Sequence, residues 1–202
     1  MSIVPRGAAT GARGALAPIA RALHTRGVSA NAVTVAGLII TLAGATLLAF
    51  GMPGPALLVL LFGTLADTLD GQIARLSGGG TKLGAFLDST FDRLSDAGLS
   101  AAGLITAVAH GDGLLFFSAI VALVAGSLVP YVRAKAESLG LTASVGLAPR
   151  EARLVVMIVG LAGWAATGSL SLFTAAVAVV ALLSTITAAQ RIAHVARSLR
   201  NT

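Results

Sequence analysis

Residues 31–50 form an uncharged run of 20 residues, and no other feature limits the fold of this chain as strongly. As a helix such a run rises about 30 Å, which is the thickness of the hydrocarbon core of a bilayer. Water is absent there, so the backbone must satisfy its own hydrogen bonds, as a helix does. The rest of the chain makes a lone anchor implausible. Of its 202 residues 56% are hydrophobic and 11% charged, with a mean hydropathy of +0.91, values that read as a polytopic membrane protein. The 24 glycines suit close helix packing in lipid.

Polar punctuation divides the remainder. Residues 51–54 end the first span, and a second helix runs from Pro55 to about Leu76. Three consecutive glycines at 78–80 interrupt it, each costing roughly 1 kcal/mol inside a helix. A third helix covers about 84–109, and after a turn at 110–113 a fourth covers 114–138. A polar connection spans 139–149, the fifth helix about 150–166, a turn 167–169, and the sixth helix about 170–197. Ahead of them, residues 8–26 predict an amphipathic helix on the membrane surface, with Leu16, Ile19 and Leu23 on one face, Arg13, Arg21 and His24 on another, and a bend at Pro18. A solvated basic tail is the alternative for this segment. The expected fold is an all-α integral membrane protein of six transmembrane helices with an N-terminal surface helix. It forms one domain over 1–202, without an internal repeat.

Charge sets the orientation. The 14 Lys and Arg residues fall in four groups, at 6–26, 75–93, 133–153 and 191–200, and the turns at 51–54, 110–113 and 167–169 hold none. The positive-inside rule then makes both termini cytoplasmic, in a multi-pass protein of the plasma membrane, and only an even count of six spans satisfies it. The net charge of +6 points to lipid head groups and phosphorylated substrates as partners, with no nucleic acid. With no cysteine, disulfides, thiolate metal sites and a Cys nucleophile are excluded. No cleavable signal peptide is expected, because arginines punctuate the first 30 residues.

Four of the eight acids lie within 26 residues: Asp67 and Asp70, spaced i,i+3, and Asp88 and Asp92, spaced i,i+4. Each pair shares a helix face, and a hairpin through the glycine break points the pairs at one another. Oxygen donors alone suit a hard cation such as Mg²⁺. Asp67 comes about 13 residues into its helix, roughly 20 Å along, so the acids sit in the cytoplasmic part of the membrane, as does Asp96. A carboxylate at that depth costs a few kcal/mol unless paired or wet. Ion pairing with Arg75, Lys82 and Arg93 is the plainer explanation, and it accounts for one or two acids rather than four. A second cluster, Lys135, Arg153 and Arg191, lies in otherwise apolar helices at the same level and could hold a phosphate. A positive-inside signal alone explains Arg197 and Arg200.

The stretch Asp67, Asp70, Gly71, Ala74, Arg75, Gly84, Asp88, Asp92 resembles, without departure, the signature of the CDP-alcohol phosphotransferases. The resemblance covers nearly the whole chain. It implies a membrane enzyme that displaces CMP from a CDP-linked lipid with an alcohol. Two divalent ions, Mg²⁺ or Mn²⁺, would be held by Asp67, Asp70, Asp88 and Asp92, with Asp92 the general base on the acceptor hydroxyl. Gly71, Arg75 and Thr81, with Asn31, Ala32, Val33 and Thr34 at the start of the first helix, would bind the CDP-lipid. The segments 78–96, 132–137 and 149–154 are similar to those of the actinobacterial phosphatidylinositol phosphate synthases, although a Pro and a Glu of their fifth-helix opening are replaced here. That similarity implies transfer of phosphatidyl from CDP-diacylglycerol to inositol 1-phosphate, with Lys135, Arg153 and Arg191 on the acceptor phosphate, in a homodimer. A phosphatidylglycerophosphate synthase is the alternative within the family. A divalent-cation transporter is the alternative outside it; midplane sites on repeated, broken helices would mark one, whereas this chain keeps its charges at one end.

Overall fold

The computed structural model describes residues 6–200, with side chains from Gly14 onward. Among them are seven helices and no strand: α1 (Arg6–Thr25), α2 (Ala30–Ala49), α3 (Pro53–Leu76), α4 (Lys82–His110), α5 (Gly113–Ser138), α6 (Arg150–Thr167) and α7 (Leu170–Arg200). Local chemistry sets their ends. The Ser29 hydroxyl accepts the Ala32 amide at 3.2 Å and caps α2. Prolines occupy the first turn of α3, where a missing N–H costs nothing. Gly78 and Gly79, at φ of 90° and 120°, turn the chain out of α3 through conformations that side chains resist. Thr81 Oγ1 then accepts the Gly84 amide at 2.9 Å and starts α4.

Four helices, α2, α3, α5 and α7, are long and apolar enough to cross a membrane by length and composition. The other two expected spans fall short for visible reasons. The first half of α4 carries Lys82, Asp88, Asp92, Arg93 and Asp96, and α6 has only 18 residues and opens with Arg150, Glu151 and Arg153. The segment of the expected surface helix is helical as α1, which packs on α3. Leu16 and Leu23 are half-buried and Ala20 is buried, while Ile19 and Arg21 are exposed. Arg13 lies outside the residues whose side chains are described.

Packing divides the chain into two compact units. One holds α1, α2, α3 and α4 as far as Ala102; the other begins at Gly103 and holds α5, α6 and α7. In the first, α2 and α3 run antiparallel along a seam of small residues. A Cβ on Gly44 would meet the Leu60 side chain at 2.8 Å, and one on Gly37 would meet the Ala66 Cβ at 3.1 Å and Asp67 Oδ1 at 3.3 Å. A Cβ on Gly63 would collide with Thr41 Oγ1. Thr34, Gly37, Thr41 and Gly44 thus alternate by three and four residues, the spacing of one helix face. Thr34 ends the seam with a 2.7 Å hydrogen bond to Asp70 Oδ2.

In the second unit α7 packs on both α5 and α6. Gly160 lets α6 approach Ala176 and Phe173, and Trp164 lies against Phe173 and His110, both centroid separations being 5.8 Å. Asp112 caps α5 through the Leu115 amide at 2.9 Å and also accepts from Thr174 Oγ1 at 2.6 Å, tying the turn to α7. Burial in both units is narrow, and Phe62, Phe86, Val108 and Phe117 are more than 60% exposed, as lipid-facing side chains are.

Candidate functional site

A cavity of about 500 Å³ opens in the first unit among the N-terminus of α2, the C-terminal half of α3, the glycine turn and the start of α4. Three of the four expected ligand carboxylates line it: Asp67, Asp70 and Asp88. Asn31, Thr34, Gly71 and Thr81 line it as well. The helix periods explain the gathering. Asp67, Asp70, Gly71 and Ala74 follow one stripe of α3, and the glycine turn folds α4 back so that Gly84, Ala85 and Asp88 face that stripe. Asp92 lies one turn farther along α4, half-buried, and does not reach the cavity wall. Arg75, exposed in the last turn of α3, is also outside the lining, as are Ala32 and Val33.

The cavity has two characters. Asp70 is 7% exposed and its Oδ2 is held by Thr34. Asp67 and Asp88 are exposed, and their like charges act on Asp70. Three carboxylates facing one space repel, and a divalent cation among them would relieve that repulsion. The donor set is all oxygen, as Mg²⁺ and Mn²⁺ require. Among the described residues no three acidic or histidine side chains are drawn tightly enough to ligate one ion as they stand. The chemistry of the set fits a divalent metal, and ligation requires the carboxylates to close by side-chain rotation.

Beside the acids the wall is nearly bare backbone. A Cβ on Gly71 would meet nothing within 4 Å, and the same holds for Gly79 and Gly80, so this wall can admit a bulky polar group against main chain. Ser77, also on the rim, lies 3.3 Å from His24 Nδ1 and links α1 to the site. Ser29 and Ser77 do not stand out in the sequence, and the glycines at 79 and 80 do so only as a helix break, not as part of a site wall. Their only signal was position, immediately before and after helices that carry the acids.

The expected acceptor cations lie in the second unit. Lys135 is exposed in the last turn of α5. Arg153 is buried and donates through Nη1 to Ser184 Oγ at 3.0 Å. Arg191 donates Nε to the Val145 carbonyl at 2.9 Å and Nη1 to the Val129 carbonyl at 2.7 Å. It therefore spends two of its five N–H donors on the fold. Thr187 and Gln190 accept the amides of Ala148 and Leu147, so α7 grips the 139–149 connection by several side chains. Arg133 pairs with Glu137 at 2.9 Å on the exposed face of α5.

Comparison with known proteins agrees with these features. The family profile for CDP-alcohol phosphatidyltransferase matches residues 27–196. The phosphatidylinositol phosphate synthase of Mycobacterium marinum is 40% identical over 146 residues, 71% of this chain and 62% of that protein, so the chain spans under two thirds of that relative's length. Two crystal structures of the Mycobacterium tuberculosis phosphatidylinositol phosphate synthase are similar in fold. One, in complex with manganese and citrate, superposes with a TM-score of 0.82 at 33% identity, covering 88% of this chain and 87% of that one. The other, with CDP-DAG bound, gives 0.80 at 34% identity over 89% and 92%.

Proposed function

The chain belongs to the CDP-alcohol phosphatidyltransferase family, and on that premise we propose that it is a phosphatidylinositol phosphate synthase, transferring phosphatidyl from CDP-diacylglycerol to inositol 1-phosphate with release of CMP. The observation that carries the reading is the cavity in which Asp67, Asp70 and Asp88 face a wall of bare glycine backbone. It joins a place for divalent cations to a place for a nucleotide diphosphate. The relative in Mycobacterium marinum bears that activity in its name, and the M. tuberculosis structures hold manganese and CDP-DAG.

In this reading the diphosphate of the lipid lies against Gly71, Gly79 and Gly80, and Asn31 and Thr81 bound the nucleotide from α2 and α4. Arg75, at the end of α3, adds positive charge beside the departing phosphate. Asp67, Asp70, Asp88 and Asp92 hold two divalent ions, Mg²⁺ or Mn²⁺, which supply charge stabilisation to the attacking and departing oxygens. Asp92 takes the proton of the acceptor hydroxyl. Lys135, Arg153 and Arg191 hold the acceptor phosphate through donors not spent on the fold. A phosphorylated acceptor gives these three cations a use that a neutral alcohol would not.

The surrounding assembly follows the same reading. All six helices from α2 to α7 cross the plasma membrane, α1 lies on its cytoplasmic surface, and both termini and the site are cytoplasmic. The apolar helix faces serve a homodimer and the acyl chains of the lipid.

Purified protein supplied with labelled CDP-diacylglycerol and each acceptor in turn tests the proposal. Release of CMP with inositol 1-phosphate is expected. Release with glycerol 3-phosphate alone would assign a phosphatidylglycerophosphate synthase instead.

A further inference from the structure

We propose that Thr34 is a positioning residue for the divalent-metal site: from α2 its hydroxyl fixes the Asp70 carboxylate on α3 and so sets which oxygen the cation meets. This rests on the reading of Asp70 as a metal ligand. The Thr34 hydroxyl lies 2.7 Å from Asp70 Oδ2, the length of a hydrogen bond to an ionised carboxylate. It also lies 3.0 Å from the Ala30 carbonyl, but a hydroxyl has one proton, and the shorter, charge-assisted contact takes it. Both residues are buried, at 8% and 7% exposure.

Burial gives this contact its leverage. An exposed carboxylate such as Asp88 can turn to meet an ion from several directions. Asp70 sits in the wall of the cavity with one oxygen taken, so its approach to a cation is decided before the cation arrives. The contact also crosses between helices. Three residues along α2, Gly37 leaves the space in which Asp67 Oδ1 lies, 3.3 Å from where a Cβ would stand. One face of α2 therefore supports both acids of the first pair, with a hydroxyl for the buried one and a gap for the other. The family resemblance implies a nucleotide contact at the start of α2; Thr34 does border the cavity, but its hydroxyl proton is committed to Asp70.

The test uses the full chain in detergent and compares Thr34→Val, which keeps the shape and removes the hydroxyl, with Thr34→Ser, which restores it. Thr46→Val is the control, since Thr46 also bonds the carbonyl four residues back on α2 and lies outside the cavity. Mn²⁺ binding is followed by electron paramagnetic resonance, without substrate. Thr34→Val should weaken Mn²⁺ at least about 10-fold, the usual effect of removing a residue that orients a metal ligand. Thr34→Ser should recover most of that loss, and Thr46→Val should bind as the parent does. In an Asp70→Asn background Thr34→Val should add little, because its effect passes through that carboxylate. Unchanged Mn²⁺ binding in Thr34→Val, failure of Ser to restore it, or a full additional loss in the Asp70→Asn background would each overturn the proposal, as would a parent that binds no Mn²⁺. If the parent binds Mn²⁺ but releases no CMP with any acceptor, the enzymatic reading fails while the role of Thr34 still stands or falls on the binding series.

Discussion

Replacing Gly71 with alanine should make the protein more stable and less active. Gly71 lies within α3, has no positive φ, and has nothing within 4 Å of the position a Cβ would take. Alanine in a helix interior is favoured over glycine by about 0.5–1 kcal/mol, so no clash offsets the gain. For a chain of this size that corresponds to a rise of roughly 2 °C in the thermal midpoint. The same empty space is cavity, and Gly71 is one of the residues that bound it. A methyl there stands where the lipid diphosphate is to approach main chain. Displacing the reacting phosphate by about 1 Å costs on the order of 10²-fold in turnover, and weaker binding alone would cost about 10-fold for each 1.4 kcal/mol lost. The two readouts come from one preparation: thermal unfolding, and CMP release as CDP-diacylglycerol is varied. Gly54→Ala is the reference, because a Cβ there also meets nothing within 4 Å and the residue lies in the first turn of α3, away from the cavity. A Gly71→Ala protein with unchanged turnover and unchanged KM for the lipid would refute the placement of the diphosphate against α3. A protein of lowered stability would refute the open-space reading itself.

Three further outcomes follow from other parts of the structure. Asp92→Asn should lower CMP release by about 10²–10⁴-fold while the lipid nucleotide still binds, as measured by equilibrium binding alongside turnover. Gly146→Ala should destabilise by about 1–3 kcal/mol, seen in the thermal midpoint, because φ there is 146° and a Cβ would stand 2.6 Å from Thr187 Cγ2. Asp112 is held below its ordinary value of 3.8, first by the Thr174 hydroxyl and then by the Leu115 amide. A depressed folded value means the carboxylate stabilises the fold above pH of about 4 and loses that contribution as pH falls through the folded value. Asp112→Asn, which keeps a good helix cap, should therefore show a midpoint that falls less steeply than the parent's as pH drops below about 4. Equal slopes would remove the Thr174 contact as a stabilising one.

Much of this was legible because the acids obey a single-helix rule. Asp67, Asp70 and Asp88 gather because their spacings put them on facing stripes, and three glycines in a row can only mark the turn between them. Asp92 illustrates the limit of that rule: the i,i+4 spacing puts it on the same face as Asp88, but not at the same depth. The charge content of α4 and α6 is equally visible, and four helices rather than six pass as spans by length and composition, since those two carry several charges each. Arg191 shows a different limit. Its placement in an apolar helix suggests a phosphate ligand, and two of its donors also hold the carbonyls of Val129 and Val145. Such a commitment depends on where a distant loop lies, which spacing within α7 cannot reveal.

The deepest feature to escape the sequence is the α2–α3 seam, because it is a matching of two helices rather than a pattern in either. Gly37, Gly44 and Gly63 read singly as small residues in a membrane protein rich in them. Paired antiparallel with Ala66, Leu60 and Thr41, they fit closely in the register observed. Slipping α3 by one helical turn, about 5.4 Å, would drive Leu60 away from the gap at Gly44 and take Asp70 away from Thr34. The seam therefore fixes the depth of Asp67 and Asp70 relative to the start of α2, where Ser29 and Asn31 border the same cavity. The glycines act as spacers that bring the cavity at the start of α2 and a carboxylate pair to one level. Bulk added at Gly37 should for that reason disturb the acids before it disturbs the helices.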